Sequence, residues 1–196
     1  MSRGIKLLIV VLLQTAALIA IVGMKQHTLN TGTPVLLETE PIDPRSLFSG
    51  DYVILNYKIS ALHLNKIGSD KREFKSNETV YVTLTPGKPY WEPIGVAHEF
   101  STPASGKVVI KGTVDWVSDS FWNPATQKQE KGKFLRAHYG IENYFVPEGD
   151  GREIERRMVD GVNQKIDVRV AVDSKGNAGI KAILVNGEMR YEERRF

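Results

Sequence analysis

No cysteine occurs among the 196 residues, and that single absence removes thiolate catalysis, cysteine-based zinc sites and disulfides together. It also leaves no thiol for lipid attachment, so any folded domain here stands on its core alone. Other chemical signatures are missing as well. The sequence contains no P-loop, no dinucleotide fingerprint and no Gly-x-Ser-x-Gly elbow. Its four histidines, His27, His63, His98 and His138, are far apart, and none forms a His-x-x-x-His or His-Glu-x-x-His pair. Zinc therefore has no ligand set at a recognisable spacing. Internal repeats and low-complexity tracts are absent too.

Charge is missing where it matters most. From Leu7 to Met24 the chain reads LLIVVLLQTAALIAIVGM, with no charged residue and only Gln14 and Thr15 diluting it. As a helix this run rises about 27 Å, close to the roughly 30 Å hydrocarbon core of a bilayer. A cleaved signal peptide has an apolar stretch of about 7–15 residues and a small-x-small cleavage site. This run is longer and closes in IVGMKQHT without such a site, so residues 1–25 are expected to be an uncleaved signal anchor that meets the lipid bilayer through residues 7–24. A buried core helix is a poor fit, because the run has no polar face at helical period. Arg3 and Lys6 precede the span and Lys25 follows it, which by the positive-inside rule places the N-terminus in the cytoplasm and the remainder outside. Those three residues equal the formal net charge of +3, leaving 23 basic and 23 acidic residues in balance beyond them. A neutral remainder gives no footing for nucleic-acid binding.

Beyond the span, residues 26–33 are polar and read as a short stalk, which would let the domain stray up to about 30 Å from the bilayer. Residues 34–196 have a β pattern. PVLLETE, DYVILNYKIS, TVYVTLT, YWEPIGVAHEF, KVVIKGTVDWVSD and FLRAHYGIENYFV are strand candidates. KIDVRVAVD and GIKAILVNGEMRYEE, joined by SKGNA, read as a hairpin. One segment looks helical: DGREIERRMVDG offers Asp150 as N-cap with Glu153 three residues later. The expected fold is mainly β, a single N-terminal transmembrane helix followed by one antiparallel β-rich domain with a short helix.

Strand alternation places Val53, Leu55, Tyr57 and Ile59 of FSGDYVILNYKI on one apolar face. Asp51, just after Gly50, sits where a short carboxylate accepts backbone N–H bonds and shapes a turn. No second carboxylate stands nearby at ligand spacing, so Asp51 is read as launching a strand. The run GDYVILNY carries Gly50, Asp51, Tyr52, Leu55 and Tyr57 at the positions that name the GDYXXLXY family of bacterial membrane-anchored proteins. The later YGIENYFVPEG also resembles a second block of that family. With the preceding apolar helix, the resemblance spans nearly the whole chain. It implies membrane anchoring and an exported domain, and it brings no biochemical activity. Members of the family resemble small companions of multi-spanning membrane proteins.

Three further constellations are candidates for chemistry or recognition. If residues 135–141 form a strand, Arg136, His138 and Glu142 line one face, a set suited to an anionic ligand or to proton transfer. The plain alternative is an exposed face of loosely paired charges. Glu142, Glu148 and Asp150 match no calcium loop. Aromatics cluster at Trp91, Trp116, Phe121 and Trp122. DSFWNP reads as a loop, which makes Phe121 and Trp122 partner-binding candidates. A Ser/Lys hydrolase of signal-peptidase type, using Ser46 or Ser49 with Lys107 or Lys111, shares the topology but lacks the Ser-Met-x-Pro that such enzymes carry before Gly-Asp. The expected function is thus a membrane-anchored extracytoplasmic accessory protein whose partner is an integral membrane protein. No cofactor, no metal and no catalytic residue is expected. A Ser/Lys hydrolase and a small-ligand module are the alternatives.

Overall fold

A computed structural model describes residues 2–40, 52–123, 127–145 and 165–192. The apolar run forms the helix α1 (Arg3–Thr31), whose first turn is capped by the Ser2 hydroxyl accepting from the Ile5 amide at 3.4 Å. Every residue from Ser2 to Lys25 is exposed, so no described part of the domain covers the apolar run. Among the described residues it is the one helix long and apolar enough to cross a membrane.

The stalk expected at residues 26–33 is not a flexible connector. The helix continues to Thr31, and the first strand begins at Thr33. His27, Thr28, Asn30 and Thr31 have weak helix propensity, but tertiary packing overrides it: Thr28 and Leu29 are buried against the domain.

Among the described residues, twelve strands follow in chain order: β1 (Thr33–Glu38), β2 (Tyr52–Ile54), β3 (Ala61–His63), β4 (Gly68–Ser69), β5 (Thr79–Thr85), β6 (Glu92–Ala97), β7 (Val108–Asn123), β8 (Lys128–His138), β9 (Asn143–Phe145), β10 (Ile166–Val172), β11 (Ala178–Val185) and β12 (Glu188–Glu192). The protein is mainly β. One sheet has the order β1-β10-β11-β12 and a second the order β3-β8-β7-β5-β6-β4, while β2 and β9 form a small ribbon. Among the described residues all pairings are antiparallel except β4 with β6. Inward side chains of both large sheets share one core: Val35, Leu37, Val168 and Val170 from the first, and Val80, Val82, Leu84, Ile110 and Leu135 from the second. β5 shows the cause plainly, because TVYVTLT buries Val80, Val82 and Leu84 at every second position. β10 is buried on both faces, since α1 covers the side that a solvated strand would leave polar. Ala171 there packs beside Gly32.

DYVILNYKIS is not one continuous strand. Pairing stops after Ile54, and Lys58–Ser60 form a single 3₁₀ turn. Burial still alternates through the irregular stretch, with Leu55, Tyr57 and Ile59 inside and Lys58 outside. DSFWNP is likewise not a loop as expected: Asp119 to Asn123 continue β7. The C-terminal run also folds once more than expected, as Asn186 and Gly187 take positive φ angles of 53° and 82° and turn the chain into β12. The helix expected around Asp150–Gly161 lies outside the described residues.

Candidate functional site

The family motif and the later tyrosine-rich block meet in the core. Leu55 N–H donates to the Glu142 carbonyl at 2.7 Å, and β2 pairs with β9 from Tyr52↔Phe145 to Ile54↔Asn143. Two phenols then lock the segments reciprocally. Tyr57 donates its hydroxyl to the Ile141 carbonyl at 2.6 Å, and Tyr139 donates to the Ile59 carbonyl at 2.6 Å. Each tyrosine thus satisfies the carbonyl two residues beyond the other one. Burial, and secondarily the charge of Glu142, pushes both phenols well above their ordinary range, so both remain protonated donors. On its other side the motif segment holds the end of the first sheet: Thr39 bridges to Tyr57, and Glu40 N–H donates to the Asn56 carbonyl at 2.7 Å. Leu55 and Tyr57 therefore join two sheets. Gly50 and Asp51 lie outside the described residues, and Tyr52 pairs with Phe145 across the small ribbon.

Arg136, His138 and Glu142 do not converge on one ligand face. Arg136 donates from Nη2 to Asn56 Oδ1 at 3.4 Å, and His138 Nδ1 meets the Asp115 carboxylate. Glu142 folds back to accept the Tyr139 amide at 2.5 Å. It lies past the end of β8 in a turn, so the strand face expected to carry it ends before it. Glu148 and Asp150 are outside the described residues, and no set of three His, Asp or Glu groups fit to hold a metal occurs among those described.

The aromatic pair separates. β5 accompanies β7 only from Val108 to Thr113, and β3 accompanies β8 only from Phe134 to Arg136. Beyond the Ser118–Phe134 pair, from Ser120 to Asn123, the two long strands pair with each other alone, a ribbon whose tip lies about 17 Å past Ser118. Phe121 turns inward along it, with its ring centroid 6.3 Å from Trp116 and 5.4 Å from Phe134, and Phe134 lies 4.3 Å from His63. Trp122 points away and is 59% exposed.

Sequence reasoning missed two features. One is a groove of about 320 Å³ between the 64–74 segment and the base of the ribbon, where Lys71, Arg72, Glu73, Asp119 and Lys133 supply mixed charge. At its back His98, with a side chain only 6% exposed, stacks on Phe74 at 4.2 Å and meets Asp70 through Nδ1 at 2.9 Å. Its Nε2 lies 3.4 Å from Glu78 Oε2 without hydrogen-bond geometry. Hydrogen bonds from the His98 backbone and ring hold Asp70 below the usual carboxylate range. The "AHEF" run names the histidine, but nothing in the sequence points to Asp70 and Glu78.

The second is the helix–domain junction. Asp173, in the β10–β11 turn, accepts the Thr28 hydroxyl at 2.7 Å, the Lys175 and Asn177 amides at 2.9 Å each, and Asn177 Nδ2 at 2.9 Å. Burial works against its charge, yet the bonds from Asn177, Thr28 and the turn amides outweigh that and lower its pKa. Leu29 lies over Gly179 so closely that a β-carbon there would stand 2.9 Å from Leu29 Cδ2. At Gly32 it would stand 2.6 Å from the Thr28 carbonyl and 2.9 Å from the Val172 amide. Gly32 needs glycine because the close approach there is backbone against backbone, whereas a β-carbon at Gly179 would require Leu29 to shift.

These features define a β-rich domain of two sheets mounted on the end of an apolar N-terminal helix. The chain belongs to the GDYXXLXY protein family, whose profile matches residues 14–183 and so includes part of the helix, both motif blocks, the six-stranded sheet and the other large sheet as far as β11. No curated protein and no solved structure matches the chain.

Proposed function

We propose that the protein is a membrane-anchored accessory protein whose partner is an integral membrane protein. The observation that carries this reading is the helix, apolar and exposed along its whole span yet continuous with a rigid, hydrogen-bonded junction. An uncovered apolar surface of this length suits lipid, and a helix of this kind docked by Thr28 and Leu29 holds its domain within about 10 Å of the bilayer surface. Arg3 and Lys6 orient the N-terminus toward the cytoplasm of a bacterial inner membrane, with the domain in the periplasm or outside. Trp122, exposed on its ribbon, is the aromatic anchor best placed for a partner.

The test is a phosphatase fused after Phe196, combined with affinity purification from mildly solubilised membranes and intact-mass measurement. The expected result is an active phosphatase, retention of residues 1–24 and recovery of an integral membrane protein. A fragment starting near Lys25 would sink the anchor reading, and an inactive phosphatase would reverse the topology.

One observation favours small-ligand binding as a second reading. The groove beside Arg72 and Lys133 is within the size range of small-molecule sites. A thermal-shift screen of anionic metabolites tests it, and a flat screen disposes of it. Ser46 and Ser49 of the hydrolase alternative lie outside the described residues, and labelling with a serine-reactive probe separates that alternative from both readings.

A further inference from the structure

We infer that the Gln14 face of α1 binds a transmembrane helix of a different protein, one that ends at the membrane surface beneath the domain. The inference rests on the reading that the helix spans a bilayer. Gln14 lies about 10 Å along the axis from Leu7 and about 15 Å from Met24, near the middle of the hydrocarbon. Its amide has two donor hydrogens and an acceptor oxygen, and no described residue of the domain covers it, since Ser2 to Lys25 are exposed. Thr15 can return its hydroxyl to a carbonyl of its own helix. A glutamine at mid-bilayer instead gains most from a polar side chain on a neighbouring helix.

Helical phase decides which neighbour fits. At 100° per residue, Lys25, Thr28 and Leu29 fall at about 20°, −40° and 60° from Gln14. Those three residues touch the domain: Thr28 bonds Asp173, and Leu29 and Lys25 lie over Gly179. The domain therefore overhangs the side of the helix on which Gln14 sits. Packed helices lie 8–10 Å apart. A second copy of this chain, parallel and facing Gln14 to Gln14, would run its own residues 25–31 and its own domain into the volume the first domain occupies. A helix from another protein, ending near the level of Met24 and bearing a Ser, Thr, Asn, Gln or carboxyl side chain at mid-depth, meets no such obstacle. It would also lie directly beneath the sheet.

Photo-crosslinking residues placed singly in the full-length chain in native membranes test this. Val10, Ala17 and Ile21 sample the Gln14 face, and Leu12, Ala16 and Ile19 sample the opposite face. The expected result is one adduct with a different protein, from the first set alone. Its yield should drop roughly tenfold in Gln14→Leu, the size of one interhelical hydrogen bond, and return in Gln14→Asn. Adducts from both faces, adducts of twice this chain's mass, a yield indifferent to Gln14→Leu, or no adduct from membrane-retained chain each overturn the inference. Alkaline extraction separates the two levels. Chain released by carbonate removes the spanning reading and this inference with it, whereas chain that stays in the membrane without face-specific adducts removes the inference alone.

Discussion

Tyr57 and Tyr139 explain at the residue scale why a tyrosine closes the family motif. Phenylalanine would fill the same volume, but it would leave the Ile141 carbonyl buried without a donor. Tyr57→Phe is therefore expected to cost about 1–3 kcal/mol, and Tyr57→Ala about 3–5 kcal/mol, as for a core ring. Because the two phenols clamp the same pair of segments, the double Tyr57→Phe/Tyr139→Phe variant should cost less than the sum of the singles. Thermal unfolding of the detergent-solubilised chain measures all three, and strict additivity would mean that the two bonds act independently. On the sequence reading of Asp51 as a turn former, Asp51→Asn is expected to be mild, since asparagine suits the same role. Full stability with loss of cellular function would point to chemistry at Asp51 instead.

Two elements carry the next set of expectations. On the ribbon, Trp122→Ala should leave the melting curve unchanged while lowering partner recovery, because its ring is mostly solvated. Phe121→Ala should lower stability by about 2 kcal/mol, because its ring lies between Trp116 and Phe134. Reversal of those two outcomes would exchange their roles. At the junction, Gly32→Ala forces backbone against backbone, and hydrogen exchange at residues 28–32 should rise. Asp173 sets the pH dependence there. Its folded pKa is lowered, so its contribution is complete above the ordinary carboxylate value of about 3.9 and disappears as pH falls through the lowered value. Protection against hydrogen exchange at residues 28–32, taken relative to the intrinsic rate at each pH, should therefore hold at neutral pH and fall only in acid, and Asp173→Asn should flatten that dependence. Loosening between pH 5 and 7 would assign the junction to another group.

At the scale of the whole molecule, the absence of a flexible stalk makes helix rotation and domain placement one property. Alanine insertions between Met24 and Lys25 exploit this. Two residues rotate the span by about 200° relative to the domain, and four rotate it by about 40°. If a partner engages the helix and the domain together, the two-residue insertion should lose it and the four-residue insertion should keep more of it. Equal recovery from both would show that span and domain act separately. Alkaline-resistant membrane association, measured in parallel, should be the same for both insertions.

The sequence by itself determined the elements whose signal is local. The long apolar helix was legible because a run of eighteen residues without charge is a local signal. TVYVTLT and KIDVRVAVD were legible as strands because alternation and β-branched residues act within a few residues. The inward direction of Leu55 and Tyr57 followed from the same period, and even the Asn186–Gly187 turn, left inside one strand by that reading, carries a local mark. Only the tertiary structure decided the rest. Residues 26–31 look like a linker because His, Thr and Asn have little helix propensity, and they become helix because Asp173 and Gly179, some 150 residues away, receive Thr28 and Leu29. Phe121 and Trp122 are neighbours of one chemical type, and the bulged pairing of β7 with β8 alone sends one inward and the other to solvent. Arg136, His138 and Glu142 share a stretch of chain but find separate partners in Asn56, Asp115 and the Tyr139 amide. Local pattern reports which way a side chain points, whereas what it meets there is set by chain folded back from a distance, and composition does not record that contact.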